Sequence, residues 1–375
     1  MKKLFVINPM DHLNYVLLNL KNLAVYYEER DMTQDEDHYP LITVGVVVLN
    51  REWIIGKMLN SLIRQTYPHN RIFVIIVDGK SKDRTVEIAQ KILEKSDFMG
   101  YNIIVRESNI PEGRNICIEN MRGDMLLFWD SDVVMEPNAI QELVKTMIQE
   151  KADIVTADGV SIYVNTTEEI DEKINEAKKM RTYTSENYVV EVPFVGMGHT
   201  IVSKNVLDSL RFDPDLTFGE DADFSVRARE KKFKIKMNKH VLAFDINMKK
   251  MEQSDIYIDM PLRKALKGLR KKAKAHVLSG ISKPTPIEAP KFFLKNKRFL
   301  FYLGYILMGS LTIFGILFKN IFILSFPIYL VLYAVYQVKR RGFIRGGKAV
   351  LKSIVVGIPL SLLMVYYFLT LTRKK

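Results

Sequence analysis

A chain of 375 residues with 48% hydrophobic residues and a mean hydropathy of −0.01 is too apolar for a disordered tail. It is long enough for an enzyme-sized core plus a second region. The net charge of +12 suggests nucleic acid only until it is located: residues 261–375 carry 22 Lys/Arg and one acid, Glu288, against 33 Lys/Arg and 42 Asp/Glu in residues 1–260. The single Cys117 excludes an intramolecular disulfide and a multi-thiolate metal site, in keeping with a reducing compartment.

In chain order, MKKLFVINP lacks the apolar stretch of a secretory signal. Leu13, Val16, Leu17, Leu20, Ala24 and Tyr27 then recur at helical spacing, so residues 1–40 read as an amphipathic helical extension. That helix either packs on the body or lies on a membrane. From Leu41 strands and helices alternate: strand 41–49, helix 53–65, strand 71–77, helix 84–95, strand 102–106, helix 112–121, strand 125–129. The strands are continuous apolar runs, which predicts an α/β sheet, mainly parallel and covered on both faces. Such sheets bind ligands beyond the carboxyl ends of their strands. Asn50-Arg51-Glu52, Asp78 and Asp130-Ser131-Asp132 all stand there. Two carboxylates one residue apart at a strand end can hold a hard divalent cation, although D-x-D alone is a weak signal.

The ordered elements PLITVGVVVLNRE, LNSLIRQTYP, IFVIIVDGKSKDRT and EGRNICIENMRGDMLLFWDSD resemble the N-terminal half of family 2 glycosyltransferases of the GT-A fold. VDGKSKDRT (77–85) is similar to that family's V-D-D-G-S-x-D-x-T signature, with Gly79 where a second Asp often stands. Glu112-Gly113-Arg114-Asn115 resembles a shortened G-x-x-x-A-R-N element. FVGMGH (194–199) is similar to the acceptor-side loop, and TFGEDADFSVRAREKKFKIK (217–236) resembles the E-D motif, with Arg227 following. The resemblance runs from about Leu41 to about Asp245.

It implies a GT-A-type doubly wound, mainly parallel sheet over 41–260 that takes a UDP- or GDP-linked sugar and Mn2+ or Mg2+. The donor-binding residues it implies are Asn50, Glu52, Asp78, Arg114, Asn115 and Asp130, with the backbone near Val47-Val48 at the nucleobase. It places metal ligands at Asp130, Asp132 and Asp245, the last where His is common, and leaves His240 as an ordinary exposed histidine. It makes Asp221 the catalytic base with Glu220 beside it, and Gly196, Gly198 and His199 the acceptor side. For His199 a ligand contact and a structural hydrogen bond stand equally open, and Glu220-Asp221 can also be read as helix-capping acids. Metal-stabilised departure of a diphosphate, with the base on the opposite face, implies inversion at the anomeric carbon.

The continuation VVMEP (133–137) lacks the A-x-L-Q-H-P of polyprenyl-phosphate sugar synthases. With Trp53 and Trp129 as the only tryptophans, the Q-x-x-R-W of processive polysaccharide synthases is absent too. The expected acceptor is therefore a hydroxyl of a lipid-linked sugar or glycolipid, those two synthases being the alternatives. A nucleotidyltransferase lacks support because VLNREWIIG (48–56) is not a Gly-rich phosphate loop, and a silent scaffold is disfavoured because every expected acid is present.

In the basic third, Leu262, Ala265, Leu266, Leu269 and Ala273 give a basic interfacial helix and linker over 261–298. The apolar runs at about 299–318, 321–338 and 353–372 predict three transmembrane helices. Lys295, Lys297, Arg298, Lys339, Arg340, Arg341, Arg345 and Lys348 would put the catalytic domain on the cytosolic side of a multi-pass protein in the cytoplasmic membrane, with anionic lipids as further partners and no nucleic acid.

Overall fold

The computed structural model describes residues 39–180, 188–216, 219–248, 297–318 and 324–359, with Leu266, Ala273 and a few positions near the end of the chain. The N-terminal extension and nearly all of the basic linker lie outside the described residues.

The body is an α/β fold on one mixed sheet. Its strands are β1 (Ile42–Val48), β2 (Ile72–Asp78), β3 (Gly100–Val105), β4 (Met125–Trp129), β5 (Val133–Met135), β6 (Ile154–Val164), β7 (Val189–Glu191), β8 (His199–Ser203) and β9 (Ile235–Met248). Helices α1 (Ile55–Ile63), α2 (Thr85–Leu93), α3 (Ile110–Glu119), α4 (Ala139–Gln149), α5 (Ile170–Met180), α6 (Lys204–Ser209) and α7 (Glu220–Glu230) connect them. The order is β3-β2-β1-β4-β8-β6-β9-β5, with β7 beside β9.

Strands β1 to β4 pair in parallel, as their apolar runs predict. Alternation then sorts the side chains. Ile42, Val44, Val46, Ile72, Val74 and Ile76 join one core with α1, α2 and α4, whereas Phe73, Ile75 and Val77 join the other with α3, α6 and α7. The expectation of a mainly parallel sheet needs one correction: β8 runs antiparallel to β4 and β6, and β5 and β7 antiparallel to β9. At three residues each, β5 and β7 are too short to leave a periodic signal. Helix α3 opens on a capping box in which Asn109 and Glu112 bond each other's backbone N–H, a contribution of about 1 kcal/mol that fixes where Arg114 enters the core.

In the C-terminal third, α8 (Lys297–Phe318) and α9 (Ser325–Arg341) take up the first two apolar runs, α10 (Phe343–Lys352) lies ahead of the third, and half of that third run lies outside the described residues. The prediction of transmembrane spans is overturned: among the described residues no helix is long and apolar enough to cross a membrane. The 17-residue α9 rises only about 26 Å and closes on Lys339-Arg340-Arg341. The 10-residue α10 carries Arg345, Lys348 and Lys352. Polar contacts also enter the apolar faces, Thr312 meeting Ser325 at 2.9 Å and Tyr333 meeting Ser353 at 2.8 Å. The described helices therefore do not support a multi-pass protein or the orientation read from its basic flanks.

Candidate active site

The parallel strands β1, β2 and β4 deliver Asn50, Asp78 and Asp130 to one crevice, as their register requires. The D-S-D turn after β4 is held from four sides. Trp129, fully buried, donates its Nε1–H to Val133 O at 2.9 Å. Asp130 N–H donates to Gly198 O at 2.8 Å, Val133 N–H to Asp130 O at 3.0 Å, and Ile246 N–H to Asp132 O at 2.9 Å. The pairing Val133↔Asp245 sets the third predicted metal carboxylate beside the turn.

Burial and the charge of Asp130 push the Asp132 carboxyl up to about 7 against the opposing pull of Arg51, and Asp245 adds to the repulsion. Asp245 is itself raised by burial. These are hard oxygen donors short of positive charge, which fits Mn2+ or Mg2+. Among the described residues no three His, Cys, Asp or Glu converge into a ready-made cage. A cation here would therefore complete its shell with ligand oxygens and water, as Mg2+ commonly does.

Arg114 organises the other wall. Only 3% exposed, its guanidinium reaches Glu220 Oε1 at 3.1 Å, Asp221 Oδ1, and Asp130 Oδ1 at 3.4 Å, and lies 5.4 Å from the Phe212 ring centre. Burial opposes its charge, but Asp221, Asp130 and Glu220 together raise its pKa. Asp221 also receives the Met197 N–H on Oδ2 at 3.1 Å, so its carboxylate is held at both oxygens. Glu220, buried and repelled by Asp221, is pushed up to about 7 despite Arg114.

A carboxyl raised in the fold is protonated there while its unfolded counterpart is ionised. Stability from Glu220 is therefore full at acid pH and falls as pH rises from about 4.5 to about 7, by on the order of 3 kcal/mol. Glu220→Gln should flatten the melting-temperature difference between pH 5 and pH 8, which thermal unfolding measures.

The remaining predicted residues divide by use. The fully buried Asp78 accepts the Ser81 N–H at 2.8 Å and the Ser81 hydroxyl. Asn50 accepts the Lys82 N–H at 2.8 Å, and Glu52 the Arg84 N–H at 3.0 Å, so both side chains lace the loop after β1 to the loop after β2. Asn115 exchanges two 2.9 Å hydrogen bonds with the Phe212 backbone and props that loop. His240 sits at the β9 bulge, stacked on Tyr188 with ring centres 4.4 Å apart. His199 pairs with Trp129 across β4 and β8. Its Nδ1 meets Thr156 Oγ1 at 3.0 Å, and Thr156 meets Thr200 at 2.9 Å. Burial lowers the His199 pKa against the pull of Asp130, Asp245 and Asp221.

Glycine is required at Gly198, where a Cβ would fall inside the Asp130 carboxylate, and at Gly159, where it would come within 2.8 Å of His199 Nε2. Gly198→Ala should push Asp130 off its position and, on the expectation from the sequence that Asp130 binds the donor, weaken nucleotide binding about tenfold by calorimetry, the order expected from one charge-assisted contact.

Sequence reasoning gave no role to Arg51, Thr156, Thr200 or Gly159. The pairing of Arg51 with Asp132, 3.5 Å from Nε to Oδ2, joins two strand-end loops and carries no local sequence signal.

The chain resembles known proteins over part of its length. Residues 43–211 match the family model Glycosyl transferase family 2. The dolichyl N-acetyl-alpha-D-glucosaminyl phosphate 3-beta-D-2,3-diacetamido-2,3-dideoxy-beta-D-glucuronosyltransferase of Methanococcus voltae is 23% identical over 214 residues, 54% of this chain and 65% of the relative. Glycosyltransferase AglE of Haloferax volcanii is 30% identical over 126 residues, 34% of this chain and 41% of that protein. The chain thus spans less than two thirds of either relative. Among solved structures, mannosyltransferase PcManGT from Pyrobaculum calidifontis in complex with GDP-Man and Mn2+ aligns at 14% identity and a TM-score of 0.48, over 97% of this chain and 95% of that one. The similarity to a family 2 glycosyltransferase domain is confined to residues 43–211 of this chain.

Proposed function

We propose that this chain is an inverting, metal-dependent glycosyltransferase that moves a sugar from a UDP- or GDP-linked donor to a hydroxyl of a lipid-linked sugar or glycolipid. One observation carries the reading: Arg114 binds Glu220 and Asp221 on one side and Asp130 on the other, so donor-side and acceptor-side carboxylates share one buried guanidinium.

Asp132 and Asp130, with Asp245 behind them, would hold Mn2+ or Mg2+, which when bound supplies Lewis-acid stabilisation of charge on the departing diphosphate. Asp130 fixes the donor, and Asp78, at the floor of the crevice beside the two laced loops, faces the nucleoside. Asp221, anchored by Arg114 and Met197, takes the proton from the attacking hydroxyl. Glu220 buffers the charge beside it. Gly196, Gly198 and His199 border the side from which the acceptor approaches. Base and leaving group on opposite faces of the sugar require a single displacement and inversion. The Methanococcus voltae relative, whose name states a lipid-phosphate-linked sugar acceptor, supports the acceptor class.

The test incubates the full chain and Mn2+ with a panel of UDP- and GDP-sugars, each offered a lipid-linked sugar or polyprenyl phosphate. Transfer to the lipid-linked sugar with inverted anomeric configuration is expected. Ready use of polyprenyl phosphate with lipid-linked sugars ignored would overturn the acceptor assignment.

A further inference from the structure

Arg51 stands at the end of β1 beside Asp132, and its surroundings fix it there. Asn50 takes a left-handed backbone, φ 52°, that turns the chain sharply out of β1. The Arg51 N–H donates to Thr85 Oγ1 at 2.8 Å, and its carbonyl accepts the N–H groups of Ile54 and Ile55 at 3.0 and 2.8 Å. With Asn50 and Glu52 bonded to the loop after β2, the Arg51 backbone has little freedom, and only its side chain can move.

Among the described residues that side chain makes one ion pair, 3.5 Å from Nε to Asp132 Oδ2, and its charge also acts on Asp245. The distance and geometry do not amount to a hydrogen bond, and Arg51 Nε is buried without a hydrogen-bond partner among the described residues. A buried donor left unsatisfied calls for a partner that the protein itself does not provide. Asp132 is meanwhile crowded by Asp130 and Asp245, so Arg51 is the cation nearest to a carboxylate that repels its neighbours.

We infer that Arg51 is the resident counter-ion of Asp132, displaced when a divalent cation arrives with a nucleoside diphosphate and then donating its Nε–H to a diphosphate oxygen. The exchange rests on the proposed role of Asp132 as a metal ligand. In the free protein Arg51 competes with the cation for Asp132. In the loaded protein the same guanidinium neutralises the diphosphate, and planar guanidinium suits that oxygen geometry better than ammonium. Metal and nucleotide binding are therefore coupled positively through Arg51, each relieving the cost the other meets.

Arg51→Gln separates the two halves. Mn2+ binding to the nucleotide-free full chain, followed by electron paramagnetic resonance, should tighten about two- to fivefold, the value of a partly exposed ion pair. Binding of UDP or GDP at saturating Mn2+, followed by calorimetry, should weaken about tenfold or more. Arg51→Lys, which keeps the charge without the fork, should give an intermediate Mn2+ affinity and recover only part of the nucleotide affinity, and it carries the test if the glutamine variant misfolds. Unchanged or weaker Mn2+ binding in the Gln variant, or unchanged nucleotide binding, overturns the inference. Asp132→Asn is measured in parallel: if it binds Mn2+ as the parent does, the metal assignment fails; if it loses Mn2+ while Arg51→Gln changes nothing, only the role of Arg51 fails.

Discussion

Asp221→Asn should lower turnover by about 10²–10⁴-fold while nucleotide-sugar affinity stays within a few-fold of the parent. The asymmetry follows from position. Asp221 opens α7 and is held by Arg114 and by the Met197 N–H, across the Arg114 guanidinium from Asp130 of the D-S-D turn that would carry the diphosphate. Asparagine has nearly the same shape but cannot accept the hydroxyl proton, and its amide must turn a donor toward either Arg114 or Met197. A loss confined to turnover, with donor Kd retained in calorimetry, identifies a base. A parallel loss of donor binding would mean that the substitution released Arg114 onto Asp130 and disturbed the donor side. Unchanged turnover would remove Asp221 from the mechanism. Glu220→Gln provides the comparison: it keeps the hydrogen bond to Arg114 and removes the titrating carboxyl, so its loss of turnover should be the smaller.

How much of this was legible in the sequence depends on the reach of each interaction. Strands β1, β2 and β4 are continuous apolar runs bounded by polar residues, and they appear at Ile42–Val48, Ile72–Asp78 and Met125–Trp129, close to their predicted limits. Asp130 and Asp132 follow from where β4 stops, whereas Asp245 was implied only by the family resemblance and is found opposite Val133 in the sheet.

What the chain order conceals is which side chains meet. Arg114 lies 106 and 107 positions from Glu220 and Asp221, and its role as their shared counter-ion appears only once α3 and α7 face each other. Asn115, next in sequence, turns instead to the Phe212 backbone. Asn50 and Glu52 stand at a strand end as donor-binding groups would, yet loop-to-loop hydrogen bonds occupy both side chains. In the C-terminal third, uncharged apolar runs predicted membrane spans, yet among the described residues no helix is long and apolar enough to cross a membrane.

Arg114→Met should be the most destabilising single change at the site. It leaves Glu220, Asp221 and Asp130 facing one another with no positive charge at their centre, in a place where the guanidinium is 3% exposed. Removing one partner of a buried ion pair costs about 3–5 kcal/mol, because the remaining charges keep their desolvation penalty and lose its compensation. For an α/β body of about 200 residues that corresponds to a fall of roughly 6–20 °C in melting temperature. Methionine fills much of the volume and can rest on Phe212, so the loss reports charge more than cavity. The sign with pH follows: protonating Glu220 relieves the repulsion, so the deficit should shrink below pH 6 and grow toward pH 8. Combining Arg114→Met with Glu220→Gln removes a cation and an anion together and should restore part of the lost stability, but not turnover, since Asp221 would still lack its anchor. A deficit that ignores both pH and the second substitution would show that Arg114 matters for packing and not as the counter-ion of this cluster.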